Sequence, residues 1–205
     1  LNAINGSYVP WLYGKIKKNN AQDNKSISLI LIMLMGLIIL CVIWYAPEII
    51  LIMAGKQYSV AIYVVAPVSM SLLLLFYSQL FINIEFYYEE KKMLAYGSIG
   101  AAVLNIILNG LLIPIFGFVA AGYTTLISYI VFALSNYYTM RLMLKKRKLD
   151  DDMYDYKLLL LLFVAFMISG FLVVSLYGNI ILRILITLVV FGLLVINKNK
   201  FSKSV

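Results

Sequence analysis

The chain has 205 residues, 63% of them hydrophobic and only 13% charged, with a formal net charge of +8 and no histidine. A water-soluble domain of this length needs a charged surface, so the composition argues against that class and for a chain that faces lipid. The positive excess does not imply nucleic acid either, because it is confined to a few polar gaps between apolar runs.

Those runs cover residues 27–46, 60–84, 94–115, 117–140 and 158–196. A bilayer core about 30 Å thick needs about 20 apolar residues at 1.5 Å of rise each. Four runs therefore span once, and the fifth breaks at Tyr177-Gly178-Asn179 and spans twice. Backbone groups in lipid must pair internally, which leaves helices or closed barrels, and runs without period-two alternation select helices. The predicted class is an all-α integral membrane protein: a polytopic bundle of about six full transmembrane helices plus an N-terminal half-helix.

Residues 1–13 read as that half-span, closed by Pro10 and flanked by the interfacial aromatics Trp11 and Tyr13. With no initiator Met, basic leader region or cleavage site, the chain reads as the C-terminal part of a longer protein. A lysine-rich loop, 15–25, precedes a span that is apolar almost all round and ends in the aromatic-belt residues Trp44 and Tyr45. The connection 47–59 holds Glu48, Gly55 and Lys56, and its apolar stretch 49–53 can lie in the membrane interface.

The next span, 60–86, is expected to bend at Pro67 and carries Gln79, Asn83 and Glu85 at its far end. Span 94–113 sets Gly97, Ala101, Asn105 and Asn109 four apart, hence on one stripe. A tight turn is predicted at Pro114-Ile115-Phe116-Gly117. The following span places Ala121, Thr125, Ser128 and Ser135 on a second small or hydroxyl-bearing face. Facing stripes of this kind allow close packing beside a wet interior. Loop 145–155 sets a basic run beside Asp150-Asp151-Asp152, and the last two spans are greasier and look peripheral, Arg183 being the exception.

All but two of the 17 basic residues, Lys56 and Arg183, fall in alternate gaps: 15–25, Lys91-Lys92, 141–157 and 198–203. The positive-inside rule puts those gaps, and the C-terminus, in the cytoplasm. Cys41 is the only cysteine, so no intrachain disulfide forms. There is no metal-ligand cluster, GxSxG, P-loop or paired carboxylates, and the reading is a protein without enzymatic activity, cofactor or metal.

Between residues 105 and 122 the pattern becomes specific. Asn105, Asn109, Pro114, Gly117 and the Ala120-Ala121-Gly122 run precede a Thr/Ser-rich span holding Thr124, Thr125 and Ser128. This resembles the polysaccharide flippases, the O-antigen, capsule and teichuronic-type exporters of the multidrug/oligosaccharidyl-lipid/polysaccharide superfamily. Ala46-Pro47-Glu48-Ile49-Ile50 with Gly55-Lys56-Gln57-Tyr58 resembles the family's outer loop, and Tyr88 followed by Lys91-Lys92 its next inner loop. Val9-Pro10 before a Lys-rich loop looks like the end of the preceding helix.

The resemblance implies two six-helix bundles around a central cavity, often with two added helices. Residues 1–145 would be the C-terminal bundle, truncated at its start. Residues 146–205 would supply a cytoplasmic loop, the added pair and a cytoplasmic tail. The implied activity is flipping of undecaprenyl-diphosphate-linked oligosaccharide for cell-surface polysaccharide. Its partners would be that lipid-linked substrate, membrane lipids, the N-terminal half of the transporter and polysaccharide polymerase machinery, with no nucleic acid.

A sugar head group needs hydroxyls and amides, which Asn105, Asn109, Thr125 and Ser128 can supply; the same four can instead satisfy each other between helices. Arg183 is the candidate for diphosphate, or a cation that snorkels to water. Glu85 is the candidate for a coupling proton or sodium ion, or an interfacial carboxylate. A cation-coupled drug or small-molecule exporter on the same scaffold is the alternative. A membrane-embedded polymerase or glycosyltransferase subunit lacks the large loop or acid cluster it would need.

Overall fold

The computed structural model describes residues 2–89, 91–149 and 152–188. Asp150, Asp151, the last part of the predicted sixth span and the 198–203 tail lie outside them. The helices are α1 (Asn2–Lys17), α2 (Asn24–Trp44), α3 (Ala46–Met53), α4 (Ile62–Tyr87), α5 (Lys91–Phe116), α6 (Val119–Lys146) and α7 (Tyr156–Ser175). Residues 180–188 open an eighth, α8. Five described helices are long and apolar enough to cross a membrane, and no strand occurs among the described residues. The chain is an all-α, polytopic membrane protein.

α4 is the hub, with α6 along one side and α2 and α7 along another. Its buried residues run from Ala66 to Glu85 and include Ser69, Ser71, Ser78 and Asn83. α2 is not uniformly lipid-facing: Asn24, Ser28, Ile32, Met35, Ile39 and Ile43 are buried at three- and four-residue spacing, while Ile30, Leu34, Leu37 and Ile38 stay exposed. Close approach is built from glycine. The Phe166 ring of α7 lies 2.2 Å from where a Gly36 Cβ would sit, and Met70 of α4 lies 2.1 Å from a Cβ at Gly170.

α5 packs chiefly on α6, and no residue of its apolar window is buried. It runs through Pro114 to Phe116 instead of ending in the expected turn at Pro114. The reversal comes at Gly117, whose φ of +73° suits a residue without Cβ and whose N–H donates to Ile113 O at 2.8 Å. Pro10 likewise fails to close α1, which continues to Lys17. A proline removes a single helix hydrogen bond and crowds the carbonyl four residues back; here that residue is Gly6, with open space around it. α1 buries Tyr8, Leu12 and Ile16 on one stripe and is tied to α4 by polar contacts: Asn5 Nδ2 donates to Gln79 Oε1 at 3.0 Å, and Asn83 Nδ2 to Asn5 Oδ1 at 3.1 Å.

The helix ends gather into two layers. At one, Lys25 pairs with Asp152, Arg147 donates to Tyr88 O at 2.9 Å, and Tyr154 OH donates to Leu80 O at 2.7 Å. This basic end takes Lys15, Lys25, Arg141, Arg147 and Lys157. The loop before α7 is seated, not merely solvated: Met153 and Tyr154 are 3% exposed, and Asn24 Nδ2 donates to Met153 O at 3.2 Å. Burial pushes the Tyr154 hydroxyl well above its ordinary pKa. At the opposite end Tyr177 OH donates to Ile43 O at 2.6 Å, and the chain turns, as expected, between residues 176 and 179. α7 itself remains mostly exposed, but that loop and the Gly36 and Gly170 contacts fix it to α2 and α4.

Candidate functional site

The amide stripe of α5 and the hydroxyl stripe of α6 meet. Asn109 Nδ2 donates to Asn105 Oδ1 at 2.9 Å, one turn away on the same helix, and Thr124 Oγ1 of α6 donates to Asn109 Oδ1. Thr124 is fully buried. Thr125 and Ser128 donate to the backbone carbonyls of Ala121 and Thr124, at 2.7 and 2.8 Å, so their lone pairs stay available to accept. Among the described residues, the Asn105 amide nitrogen has no hydrogen-bond acceptor.

Beside this contact a groove of about 520 Å³ opens between α4, α5 and α6. Asn105, Thr125 and Ser128 line it together with Ser98, Leu75 of α4, and the aromatic wall of Tyr129 and Phe132. Their rings meet edge-on at 6.2 Å between centroids. An apolar and aromatic lining with a few convergent polar groups is the usual anatomy of a small-ligand site. Three of the four residues expected to meet sugar therefore share one concave surface, while Asn109 stands behind it as the link to α6.

The two charged candidates lie elsewhere. Glu85, near the end of α4, is 1% exposed and accepts a hydrogen bond from Thr139 Oγ1 of α6. Thr139 is eleven residues beyond Ser128, about 16 Å along the helix axis. Near it Asn136, also 1% exposed, donates to Phe132 O at 2.8 Å, and among the described residues its Oδ1 has no hydrogen-bond partner.

Arg183 neither reaches the groove nor snorkels to water. It is 4% exposed and forms two hydrogen bonds to the Glu48 carboxylate, at 2.6 and 3.1 Å, and one to Trp44 O at 2.9 Å. Trp44 Nε1 completes the clasp by donating to Thr187 Oγ1 at 3.0 Å. Burial alone would raise the Glu48 pKa, but the hydrogen bond and charge of Arg183 outweigh it and hold the carboxyl below its ordinary value. Arg183 thus fastens α8 to α3.

Sequence reasoning placed Thr124 in the motif without giving it a role, and missed Ser98, Tyr129 and Thr139. Thr124 was legible in principle: it lies three residues after Ala121, and i+3 neighbours share a face as fully as i+4 neighbours do. Thr139 carried no local signal, because only its partner on α4 gives it meaning. The described residues hold no group of His, Cys, Asp and Glu suited to a metal ion. Comparison with family models, curated proteins and solved structures returns no match for this chain.

Proposed function

We propose that this chain is the C-terminal lobe of a transporter that flips undecaprenyl-diphosphate-linked oligosaccharide across the cell membrane for surface polysaccharide synthesis. The observation that supports this reading is the hydroxyl- and amide-lined groove between α4, α5 and α6. Polar side chains are costly in hydrocarbon and are retained where they face a partner, a ligand or water. Asn105 offers donors, Thr125 and Ser128 offer acceptors, and Tyr129 with Phe132 offers an aromatic wall; sugar rings present hydroxyls and apolar faces to match. On this reading the basic end faces the cytoplasm, the C-terminus lies there too, and a first bundle of the same architecture supplies the opposite wall. Polysaccharide polymerase machinery would take over the flipped product.

The buried Glu85 carboxylate favours a second reading, a cation-coupled exporter of drugs or small molecules on the same scaffold. The full-length protein distinguishes them. Flipping requires that it restore surface polymer to a strain lacking polysaccharide export, and that Asn105→Ala lower that restoration about tenfold, the factor a lost polar contact of about 1.4 kcal/mol produces. Unchanged polymer after clean deletion, with drug sensitivity appearing instead, would transfer the assignment to the exporter.

A further inference from the structure

Between α2 and α4 the chain makes an excursion, α3 followed by a short 3-10 helix, Lys56–Ala61. α2 has 21 residues, about 31 Å at 1.5 Å each, and a bilayer core is about 30 Å thick. From Asn24 at the basic end to Trp44, α2 therefore crosses the whole core, and α3 starts where the hydrocarbon ends. Tyr45, with φ −94° and ψ 10°, breaks the helix between the two, so α3 leaves the axis of α2. Arg183 holds the departing turn, donating to Trp44 O and to the Glu48 carboxylate.

The face that α3 presents is apolar. Tyr45, Ile49 and Ile52 recur at four- and three-residue spacing, Leu51 and Met53 flank them, and all five are exposed. Ile52 and Met53, at 83% and 82%, are the most exposed large apolar side chains among the described residues. Residues 46–61 hold only two charges, Glu48, committed to Arg183, and Lys56. A bare apolar surface of this kind marks a place for lipid or for a partner.

Continuity with the membrane-facing surface selects lipid. Leu34, Ile38 and Val42 are exposed along the outward side of α2, and the same spacing runs on through Tyr45 to Ile49 and Ile52. Tyr45, Tyr58 and Tyr63 are exposed around the excursion. Tyrosine gathers at head-group level, where its ring meets apolar chains and its hydroxyl meets water.

We infer that α3 is an interfacial foot, which inserts its Ile52 and Met53 edge into the phospholipid layer of the leaflet opposite the basic end. Apolar area carries the contact, so the lipid needs no particular head-group charge. Through the Glu48–Arg183 pair the foot fastens the start of α8 to the bilayer surface. The inference does not depend on what the polar groove transports.

The full-length protein in phosphatidylcholine nanodiscs provides the test. Cys41→Ser is the background, and one new cysteine at a time carries an environment-sensitive fluorophore. Ile52→Cys and Met53→Cys probe the foot independently, at side chains that the fold leaves exposed. Lys18→Cys, in the exposed loop after α1, is the water reference, and Leu37→Cys, midway along α2, the hydrocarbon reference. Iodide in the buffer is expected to quench both foot positions about fivefold less than Lys18→Cys, as burial at the boundary of head groups and acyl chains requires. Phosphatidylcholine brominated near the head group should quench them more than lipid brominated near the chain ends, with the order reversed at Leu37→Cys. Iodide quenching as strong as at Lys18→Cys overturns the inference. So does protection from iodide without quenching by either brominated lipid, which would give the face to a second copy of the chain or to another protein.

Discussion

α4 and α5 are both 26 residues long, and the spans that contain them are equally apolar. Yet α4 is buried along most of its length, while no residue in the apolar window of α5 is. The difference lies in where the polar and small residues fall. α4 carries Ser69, Ser71, Ser78, Asn83 and Glu85, and receives glycines from two neighbours, Gly122 of α6 and Gly170 of α7. α5 keeps its amides on the one stripe that meets α6 and presents Tyr96, Ile99, Val103, Ile106 and Ile115 outward. Apolarity decides that a helix enters the bilayer; what it then touches is decided by polar groups and small residues, because lipid tails are as apolar as leucine.

The sharpest way to break this contrast is to add the same side chain on both sides of it. A Cβ at Gly122 would sit 3.0 Å from Pro67 Cγ and 3.3 Å from the backbone oxygen of Val64, an atom that cannot swing away. Gly122→Leu is therefore expected to cost about 1–3 kcal/mol by overpacking. Gly110 on α5 has nothing within 4 Å, and Gly110→Leu should cost nothing in packing. Unfolding each variant by sodium dodecyl sulfate titration in mixed micelles measures the pair. Equal destabilisation would remove the distinction between hub and margin.

Charge holds a third region, and its loss should be smaller and dependent on pH. Glu48→Gln leaves Arg183 buried with the Trp44 carbonyl. Breaking a fully buried pair costs about 3–5 kcal/mol, but Glu48 is 42% exposed, so water screens the pair and about 1–2 kcal/mol is expected. The Glu48 pKa is lowered in the folded chain, so its stabilisation is complete above the ordinary carboxyl value of 4.5 and fades as pH falls through the lower folded value. Accessibility of residues 180–188 to a labelling reagent should rise only on acidification below about 4.5 and become independent of pH in the variant. A constant accessibility in the parent chain would show that packing, as around α4, holds this end as well.

How much of this was legible depended on whether the cause lay within one helix. The spans, the break at residues 177–179 and the amide stripe of α5 follow from hydropathy and from spacing along a single element. The partners do not. Nothing local says that Arg183 would find Glu48 135 positions away, or that Asn24 would receive the loop before α7. Prolines misled in the other direction: Pro10 and Pro114 read as helix ends, but a helix inside a bundle tolerates one missing hydrogen bond where the residue four back is glycine, as Gly6 and Gly110 are. Met153 and Tyr154 were hidden by their charged neighbours, since an acidic run masks two residues that belong to the core.

The smallest effect probes the Asn109–Thr124 hydrogen bond, a polar link between α5 and α6. Asn109→Ala removes the acceptor for Thr124 and the donor to Asn105; Thr124→Val removes the other half of the interhelical bond. Hydrogen bonds between membrane helices average about 0.6 kcal/mol, so a double-mutant cycle between these positions should return about that coupling. The Asn109→Ala single variant should lose slightly more, because it also frees the Asn105 carbonyl. A coupling above about 1.7 kcal/mol, the top of the measured range for such pairs, would make this bond a second anchor comparable with the packing on α4. A coupling of zero would mean that α5 rests on α6 by shape alone, and that the Asn105 amide faces the groove for a reason other than stability.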